Sequence, residues 1–304
     1  MLQATDVWFG YDAGKPVLRG VSLAVPRSGI IGILGPNGSG KTTLLRLLAG
    51  TRHPQRGSVT LDGAPLTRFS RAALARRMAV VPQETQLAFD YTVSEVAMMG
   101  RYPHLGPFEI EGPADLAVVE ETLKSTGTLH LKDRLFATLS GGEKQRVVIA
   151  AALAQIFQQD DSSRQDMSFR QESFRLKAEA TPAESGSFRL QAEGSAGGYL
   201  LLDEPTASLD LGYQLEVASL LRQLHQERGV AIVISTHDLG LAGTLCDRLM
   251  LIRDGLVVAE GPTDEVLTPA HVREVYGVDV EVIRHSSGHR IVVPMGRSSE
   301  GGHG

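Results

Sequence analysis

Runs of largely apolar residues recur along the chain and are separated by segments with helical periodicity. The apolar runs lie at residues 30–34, 79–81, 199–202 and 230–235. Runs of this length are typical of strands buried on both faces, as in a parallel sheet covered by helices. Residues 43–48 and 144–155 instead carry apolar residues at three- and four-residue spacings, which predicts helices. The two patterns together predict an α/β fold built on a parallel sheet.

Other segments carry the signals of antiparallel strands and tight turns. Strand-like segments lie at residues 7–11, 20–25, 56–63, 249–253, 256–260, 280–283 and 291–293. Two of the connections are Asp62-Gly63 and Asp254-Gly255. Asp-Gly is a strong hairpin signal because both central positions of the favoured turn need a positive φ. The sequence therefore predicts antiparallel hairpins in addition to the parallel sheet.

A helical pattern extends from about residue 92 to residue 133 and is broken in the middle. Residues 100–107 contain two glycines and two prolines, which enforce the break. Further along, Ser140 stands before two glycines and the helical run at 144–155. Serine is a good N-cap, and glycines at a helix start expose N–H groups. This turn is therefore a second potential anion site.

Residues 157–198 differ in kind from the rest of the chain. Residues 173–179 recur fourteen positions later with a single change, and a partial copy occupies 168–172. The repeat is too short for the usual solenoid units, and its copies are too few to stack into a core. The segment is rich in Ser, Gln, Glu and Arg. We predict a largely disordered insertion, with a partner-binding arm as the alternative.

Length, composition and charge limit the possible classes of protein. The 304 residues suit one elaborated domain with a tail. The net charge of -5 argues against a surface made for nucleic acid, so no nucleic-acid partner is expected. Cys246 is the single cysteine, which excludes a disulfide framework and fits a reducing, cytosolic compartment. We expect no membrane span and no secretory signal, so another chain must hold this one at any membrane.

The most specific chemical signal follows the apolar run at 30–34. Residues 35–42 read Gly-Pro-Asn-Gly-Ser-Gly-Lys-Thr and match the G-x-x-x-x-G-K-[ST] phosphate loop between a strand and a helix. Its glycines let successive N–H groups point at phosphate oxygens, and the helix adds its positive N-terminal end. Lys41 can reach the β and γ phosphates, and the Thr42 hydroxyl can ligate Mg²⁺. The segment predicts a nucleoside-triphosphate site.

Polar residues stand just past the ends of three predicted parallel strands. They are Gln83, Asp203 with Glu204, and His237. The carboxyl ends of parallel strands meet at one edge of a sheet, where α/β proteins bind ligands. Adjacent acids after a buried strand indicate a cation or a reacting water at that edge. Tyr11 is ambiguous from pattern alone, since it suits both stacking on a purine ring and an ordinary strand end.

Taken together, these motifs resemble the ATP-binding cassette (ABC) ATPases over nearly the whole chain apart from the insertion. Residues 139–143, Leu-Ser-Gly-Gly-Glu, look like the family signature, and their place between Gln83 and Asp203 is highly specific. The resemblance implies an α/β fold with a P-loop NTPase (RecA-like) core, an antiparallel β subdomain and a helical subdomain. The implied boundaries are 1–262 for the ATPase domain, about 87–142 for its helical subdomain, and 263–304 for a C-terminal extension with a disordered end.

The resemblance also assigns roles to single residues. The implied ATP-binding set is Tyr11, Gly35, Pro36, Asn37, Gly38, Ser39, Gly40, Lys41, Thr42 and Thr43. The signature residues, expected to contact ATP held by a second copy, are Ser140, Gly141, Gly142 and Glu143. Asp210 looks like the aspartate of the D-loop, Gln83 like the Q-loop glutamine, and His237 like the switch histidine.

The implied mechanism is metal-assisted ATP hydrolysis, with ATP and Mg²⁺ as cofactors. The expected metal ligands are Thr42, Gln83 and Asp203. Glu204 is expected to be the general base for the attacking water, while Gln83 and His237 orient the water and the γ-phosphate. In the family, the signature of one subunit closes over ATP held by the other, which implies a head-to-tail homodimer.

Within the family, residues 91–93, 100–104 and 275–280 look like those of importers for ferric siderophores, haem and cobalamin. The resemblance implies two transmembrane permease subunits as partners, with an extracytoplasmic substrate-binding protein acting indirectly. It implies a peripheral position on the cytoplasmic face of the inner (plasma) membrane. The alternatives are an importer ATPase for another substrate, a soluble cassette ATPase of DNA repair or translation, and a cassette disabled by its insertion. The chain has one cassette, no heptads and no CxxC, which disfavours the soluble class.

Overall fold

A computed structural model of the chain describes residues 1–12, 14–157, 197–207, 209–286 and 290–297. Its strands are β1 (Leu2–Phe9), β2 (Leu18–Val25), β3 (Ile30–Leu34), β4 (Arg56–Leu61), β5 (Ala64–Pro65), β6 (Met78–Val81), β7 (Tyr199–Asp203), β8 (Ala231–Thr236), β9 (Arg248–Arg253), β10 (Leu256–Pro262), β11 (Val278–Arg284) and β12 (Arg290–Arg297). Its α-helices are α1 (Lys41–Leu48), α2 (Arg71–Ala75), α3 (Val93–Met98), α4 (Pro113–Ser125), α5 (Gly141–Ile156), α6 (Leu211–Arg228), α7 (Leu239–Leu245), α8 (Thr263–Val266) and α9 (Pro269–Tyr276).

The central sheet holds the parallel strands that the apolar runs predict. Its strand order is β10-β9-β3-β8-β7-β6. The last five of these strands are parallel to one another, and β10 is an antiparallel edge strand paired with β9. Every residue of β3 and β8 is buried, because both faces of the sheet are covered. The predicted α/β fold is confirmed, and the carboxyl ends of β3, β7 and β8 share one edge.

A second, antiparallel sheet covers one face of the central sheet. Its order is β2-β1-β4-β5. It shares a hydrophobic cluster with α1 and with central-sheet residues such as Ile33. The opposite face of the central sheet packs against α5, α6, α7 and the C-terminal elements. Helix α1 is therefore buried on most sides, and this burial fixes the position of the loop that precedes it.

Helices α3 and α4 and the first half of α5 form a third hydrophobic cluster. Its members include the buried residues Val93, Val119 and Val147. Helix α3 begins with a capping box, in which the side chains of Thr92 and Glu95 each accept from the backbone N–H of the other. The cluster lies in the region predicted to be a helical subdomain. The boundaries given above for that subdomain and for the other domains stay predictions.

The predicted break after α3 is present, and its first half is a 3-10 helix over Met99–His104. The side chain of Arg101 is buried in this segment. Its Nε pairs with Asp115 Oδ1 at 2.9 Å, and its guanidinium donates to the carbonyl oxygens of Ala154 at 2.7 Å and Phe157 at 2.8 Å. These carbonyls are at the end of α5, where a helix leaves acceptors without internal partners. Arg101 therefore caps the helix just before the predicted insertion.

The chain beyond residue 262 packs on the core. Helix α9 places Val272 and Val275 in the hydrophobic cluster of the central sheet, and β11 pairs with β12, which confirms the predicted strand pair. Residues 158–196 of the insertion predicted at 157–198, and residues 298–304 of the predicted disordered end, lie outside the described residues. Among the helices of the described residues, none has the length and apolar character to cross a membrane.

Candidate nucleotide site

The glycine-rich loop of residues 35–40 connects β3 to α1 at the carboxyl edge of the central sheet. Gly40 has a left-handed φ of 107°, and a Cβ there would lie 2.6 Å from Leu18 Cδ2. A Cβ on Gly35 would lie 2.2 Å from the carbonyl oxygen of Ile252. A larger residue would strain the backbone or collide at these positions. Helix α1 has neither a side-chain cap nor an acidic residue in its first turn, so its positive end is not neutralised there.

Lys41 is the first residue of α1, and its side chain is only 5% exposed. Its ammonium donates to the carbonyl oxygens of Gly35 at 2.9 Å and Pro36 at 3.3 Å. It also lies 3.2 Å from Glu204 Oε1. A buried cation is unfavourable unless it is paired and hydrogen-bonded. These three oxygens therefore hold the ammonium group beside the phosphate loop.

Asp203 is the last residue of β7, and Glu204 follows it, next to the start of α1. Thr42 Oγ1 donates to Asp203 Oδ1 at 3.0 Å. The Ser235 hydroxyl donates to the same carboxylate oxygen at 2.5 Å and accepts from the Glu204 N–H at 3.1 Å. Glu204 has a φ of 46°, which is uncommon for a residue other than glycine and is often found at functional sites. Ser235 thus fixes both acids at the sheet edge.

The sequence pattern did not identify Ser235 as a site residue. It is fully buried in β8, between apolar residues and His237. Two hydroxyl residues, Ser235 and Thr236, end an otherwise apolar buried strand, and this is the signal that could have identified Ser235, because buried hydroxyls need partners. Val17 and Ala207 also lie at the site and were missed. Neither carries a chemical signature that a sequence reading could use.

His237 contacts the second oxygen of the Glu204 carboxylate. The distance from His237 Nδ1 to Glu204 Oε2 is 3.1 Å, while Oε1 of the same residue faces Lys41. The histidine side chain is 52% exposed, and that of Glu204 is 12% exposed. One carboxylate therefore links the lysine of the phosphate loop to a histidine at the rim of the site.

Tyr11 is anchored at the same site through its hydroxyl group. The hydroxyl lies 3.3 Å from Thr43 Oγ1 and accepts a hydrogen bond from Arg46 at 3.1 Å. The contact with Thr43 is the main reason that the pKa of Tyr11 is below its ordinary value. The ring meets Phe9 edge to face at 5.1 Å between centroids, and about half of Tyr11 is exposed. The ring is held in place and has an open surface on which a base could stack.

These side chains surround a cavity of about 590 Å³. The volume lies within the range of about 300–1,000 Å³ that is usual for small-molecule sites. The lining residues are Tyr11, Val17, Asn37, Gly38, Gly40, Lys41, Thr42, Thr43, Gln83, Glu204, Ala207 and His237. Gly35, Pro36, Ser39 and Asp203 are not among them. The Ser39 hydroxyl is buried without a hydrogen-bond partner. The structure therefore brings together most of the residues predicted to bind and hydrolyse ATP, and their individual roles stay predictions.

The second glycine-rich turn, Ser140 to Glu143, is not part of this cavity. Ser140 caps α5 as predicted: its Oγ accepts from Glu143 N at 3.3 Å, and Glu143 Oε2 accepts from Ser140 N at 2.8 Å. The bond from the Ser140 N–H holds the pKa of Glu143 below its ordinary value. A Cβ on Gly142 would lie 2.2 Å from the ring of Tyr213. Asp210 caps α6 by accepting from Tyr213 N at 3.1 Å.

The chain is similar in sequence to ATP-binding subunits of transporters. The ABC transporter family matches residues 18–158. The hemin import ATP-binding protein HmuV of Gloeobacter violaceus is 39% identical over 288 residues, which cover 94% of this chain and 92% of that protein. The protein of the same name from Pseudomonas putida is 37% identical over 294 residues, covering 96% and 99%. These similarities extend over nearly the full length of this chain and of both relatives.

Solved structures agree with the sequence comparison. The cbiO1 protein of Clostridium perfringens, part of the ABC transporter complex cbiONQ, superimposes with a TM-score of 0.66 at 27% identity and covers 90% of this chain and 92% of its own. A chain of an ABC transporter described as metal-chelate type, in an inward-facing conformation, gives 0.73 at 24% identity with coverages of 97% and 96%, and supports the fold alone. The predicted resemblance is confirmed: this chain belongs to the ABC transporter family and is one of its ATP-binding, ATP-hydrolysing subunits.

Proposed function

We propose that this chain hydrolyses ATP to drive the import of hemin through a membrane permease. The sequence alone predicted an iron-siderophore, haem or cobalamin substrate, and the two full-length relatives named hemin import proteins favour hemin within that group. Siderophores and cobalamin are the alternatives. The observation that carries the enzymatic part is the convergence of Lys41, Asp203 and Glu204 at one edge of the sheet.

The contacts support a division of labour in which the phosphate loop binds and Glu204 acts as the base. The N–H groups at the start of α1 and the ammonium of Lys41 neutralise the phosphates. A water attacks the γ-phosphorus, the bond to the β–γ bridging oxygen breaks, and Glu204 takes the proton of the water. His237 holds the second oxygen of that carboxylate and so orients it toward the reacting water. Phosphate oxygens would also compete with Glu204 for Lys41.

The residues present fit Mg²⁺, which prefers oxygen ligands and usually binds through one or two protein groups plus substrate phosphates. The Thr42 hydroxyl and the Asp203 carboxylate lie 3.0 Å apart, and the Gln83 amide lines the same cavity. These three residues would hold the ion. Bound there, Mg²⁺ supplies charge neutralisation on the β and γ phosphates.

We further propose that two copies of the chain pair head to tail, so that Ser140 to Glu143 of one copy close over ATP held by the other. The support is the separation of the two motifs within one chain, since the signature turn does not line the cavity. The O–H hydrogen of Ser140 is not used in its cap, where the oxygen accepts from Glu143 N. Asp210 of the D-loop lies beside this turn through Tyr213, which contacts both Gly142 and the cap of α6.

The transport role requires partners that this chain does not contain. Two transmembrane permease subunits would hold the ATPase pair at the cytoplasmic face of the inner membrane as a peripheral subunit, with an extracytoplasmic substrate-binding protein acting indirectly. The name of the relatives as ATP-binding import proteins supports this arrangement. Recovery of a permease with the tagged chain from membranes, followed by ATP-dependent hemin uptake in vesicles, tests it. Uptake of cobalamin but not of hemin would overturn the assignment of hemin as the substrate. Failure of the tagged chain to recover any membrane protein would favour a soluble ATPase.

Replacing the proposed base tests the enzymatic assignment. We expect Glu204→Gln to lower turnover by about 100-fold or more, as general-base loss does. ATP binding should be retained or become tighter, because Lys41 loses its anionic partner. Turnover measured by phosphate release and binding measured by a fluorescent ATP analogue check both effects, with Glu120→Gln on the exposed side of α4 as the matched control. Substantial hydrolysis by Glu204→Gln would remove Glu204 from this role.

A further inference from the structure

The hairpin turns Asp62-Gly63 and Asp254-Gly255 have the same sequence but differ in burial. The first connects β4 to β5, and the second connects β9 to β10. All four residues have a positive φ between 49° and 78°, as the favoured two-residue hairpin turn requires. Gly63 is exposed, and a Cβ there would meet no atom within 4 Å, whereas Gly255 is buried. Connecting turns usually lie at the protein surface, so the burial of Gly255 indicates close neighbours.

The start of β2 is one neighbour of the 254–255 turn. The backbone N–H of Arg19 donates to the carbonyl oxygen of Gly255 at 2.9 Å, and Arg19 Nε donates to the carbonyl oxygen of Asp254 at 3.1 Å. A Cβ on Gly255 would lie 2.2 Å from the carbonyl oxygen of Val17. Val17 lines the nucleotide cavity. The turn is therefore in contact with the backbone of this part of the cavity wall.

The phosphate loop of residues 35–40 is the other neighbour of the turn. The Gly255 N–H donates to the carbonyl oxygen of Ser39 at 3.2 Å. In β9, which leads into the turn, the carbonyl oxygen of Ile252 lies so close to Gly35 that a Cβ there would be 2.2 Å from it. These are contacts of the backbone, so they fix the position of the loop itself. The hairpin of β9 and β10 therefore supports the phosphate loop at two points.

The 254–255 turn thus connects two parts of the cavity wall that belong to different sheets. Tyr11 and Val17 lie between β1 and β2 of the antiparallel sheet, while the phosphate loop follows β3 of the central sheet. Gly255 is bonded to both parts, since it donates to Ser39 and accepts from Arg19. An ATP molecule with its base on Tyr11 and its phosphates at the loop would contact both parts at once. Its affinity then depends on the distance between them.

We propose that the 254–255 turn and Arg19 are positioning elements for ATP, which set the distance between the base-binding side of the cavity and the phosphate loop. The inference rests on the proposed function, with the base of ATP against Tyr11. Neither Gly255 nor Arg19 lines the cavity, so both act through Val17 and Ser39. Position 255 needs glycine because a side chain there would have a strained φ and would push Val17 away from the loop.

Substitution of the two turn glycines tests the inference with a matched control. Gly255→Ala and Gly63→Ala introduce the same strain at nearly the same φ, and only the first meets Val17. The readout is the affinity for the β,γ-methylene analogue of ATP divided by the affinity for inorganic tripolyphosphate, both measured calorimetrically with Mg²⁺. Because tripolyphosphate has no base, we expect Gly255→Ala to lower this ratio about tenfold, and Gly63→Ala by less than about twofold. Partial misfolding would reduce the binding stoichiometry and leave the ratio unchanged.

Arg19→Met provides a second measurement that does not depend on the folding of Gly255→Ala. Methionine keeps the apolar stem and the backbone bond to Gly255, and it removes the side-chain donor to the Asp254 carbonyl oxygen. We expect the ratio to fall about threefold. A ratio that stays unchanged in folded Gly255→Ala or in Arg19→Met, including an equal loss of affinity for both ligands, would overturn the inference. An equal fall of the ratio in Gly63→Ala would overturn it as well.

Tyr11→Ala separates this inference from the proposed placement of the base. Removal of the ring should lower the same ratio about tenfold, because one base–aromatic stack is lost. A lower ratio in Gly255→Ala with an unchanged ratio in Tyr11→Ala would contradict the base position and leave the positioning role of the turn supported. The reverse result would overturn the role of the turn while the base position stands.

Discussion

Two glycine-rich turns begin helices in this protein, and they differ in how the helix ends are neutralised. The loop of residues 35–40 leads into α1, which has no side-chain cap and no acidic residue in its first turn. Ser140 starts α5 with a complete capping box, and Glu143 places a negative charge in the first turn. The free N–H groups of the first turn and the buried Lys41 favour a multiply charged anion. At the start of α5, the Glu143 carboxylate already occupies the position that an anion would take.

A glycine-rich helix start is therefore not by itself a phosphate site. The first turn lines a cavity, and Lys41, Asp203 and Glu204 of the same chain lie beside it. The second turn packs against Tyr213, and its residues do not line that cavity. Gly142 is needed for close packing between α5 and α6, because a Cβ there would collide with the ring of Tyr213. The same local sequence feature thus lies at a cavity with charged groups in one place and in a packed contact between helices in the other.

Lys41 and Lys144 each follow one of these turns, and we expect their substitutions to differ most in their effect on ATP affinity. Lys41→Ala should lower ATP affinity and turnover by about 10³-fold, because it removes the buried ammonium and leaves the neighbouring Glu204 carboxylate without its cation. Lys144, in the first turn of α5, lies over the ring of Phe136 at 6.0 Å and contacts no acid of the site. Lys144→Ala should change ATP affinity by less than about threefold. Equal losses of nucleotide binding in both variants would break the comparison.

Glycine substitutions in the two turns should affect different quantities, turnover in one case and ATP affinity in the other. Gly142→Ala forces a Cβ to 2.2 Å from the Tyr213 ring, so we expect about a 100-fold loss of turnover with near-normal ATP binding to the single chain. Gly38→Ala meets no atom within 4 Å, yet it lies in the cavity with a φ of 80°, so its main effect should be on ATP affinity. Titration with a fluorescent ATP analogue and phosphate release separate the two. Lost nucleotide affinity in Gly142→Ala would contradict the assignment of the turn to a partner.

The capping box of α5 should affect stability more than nucleotide binding. Glu143→Ala should lower the free energy of unfolding by about 1 kcal/mol, and Glu143→Gln by less, since glutamine can accept the same bond from Ser140 N. Because the pKa of Glu143 is lowered in the folded chain, the contribution of its charge is present above the ordinary glutamate pKa and is lost as pH falls through the folded value. Chemical unfolding at neutral and acidic pH measures both. A glutamine variant as unstable as the alanine variant would exclude a capping role.

The smallest effect concerns the opposite end of α5. His104 Nε2 lies 2.8 Å from the carbonyl oxygen of Gln155, and burial lowers the pKa of this histidine, with Arg101 and Arg76 acting in the same direction. The unfolded chain therefore binds a proton more readily than the folded chain, so stability falls as pH drops below the ordinary histidine pKa of about 6.5. The melting temperature of the wild type should decline more between pH 7 and pH 5.5 than that of His104→Gln. A parallel decline in both proteins would remove His104 from this effect.

Much of the catalytic site could be predicted because its chemistry follows short, local patterns. The phosphate loop needs glycine, lysine and a hydroxyl at fixed spacing, and Asp203 and Glu204 follow an apolar run whose strand end must lie at the ligand edge. Ser235 could not be placed in the same way. Its importance lies in reaching Asp203 and Glu204 across two neighbouring strands, and only strand order and register bring those residues together.

The alternation of buried strands and helices, the phosphate loop and the two acids at the end of β7 could all be read from the chain alone, because period and spacing encode them directly. Three relations appear only in the folded chain: Glu204 joins Lys41 to His237, the signature turn packs on Tyr213 without lining the cavity, and Leu211 and Leu215 remain exposed. These relations connect residues that are far apart in the chain or depend on which face of a helix meets the core. Local pattern carries no information about such distances, since they are set by how the sheets and helices pack against one another.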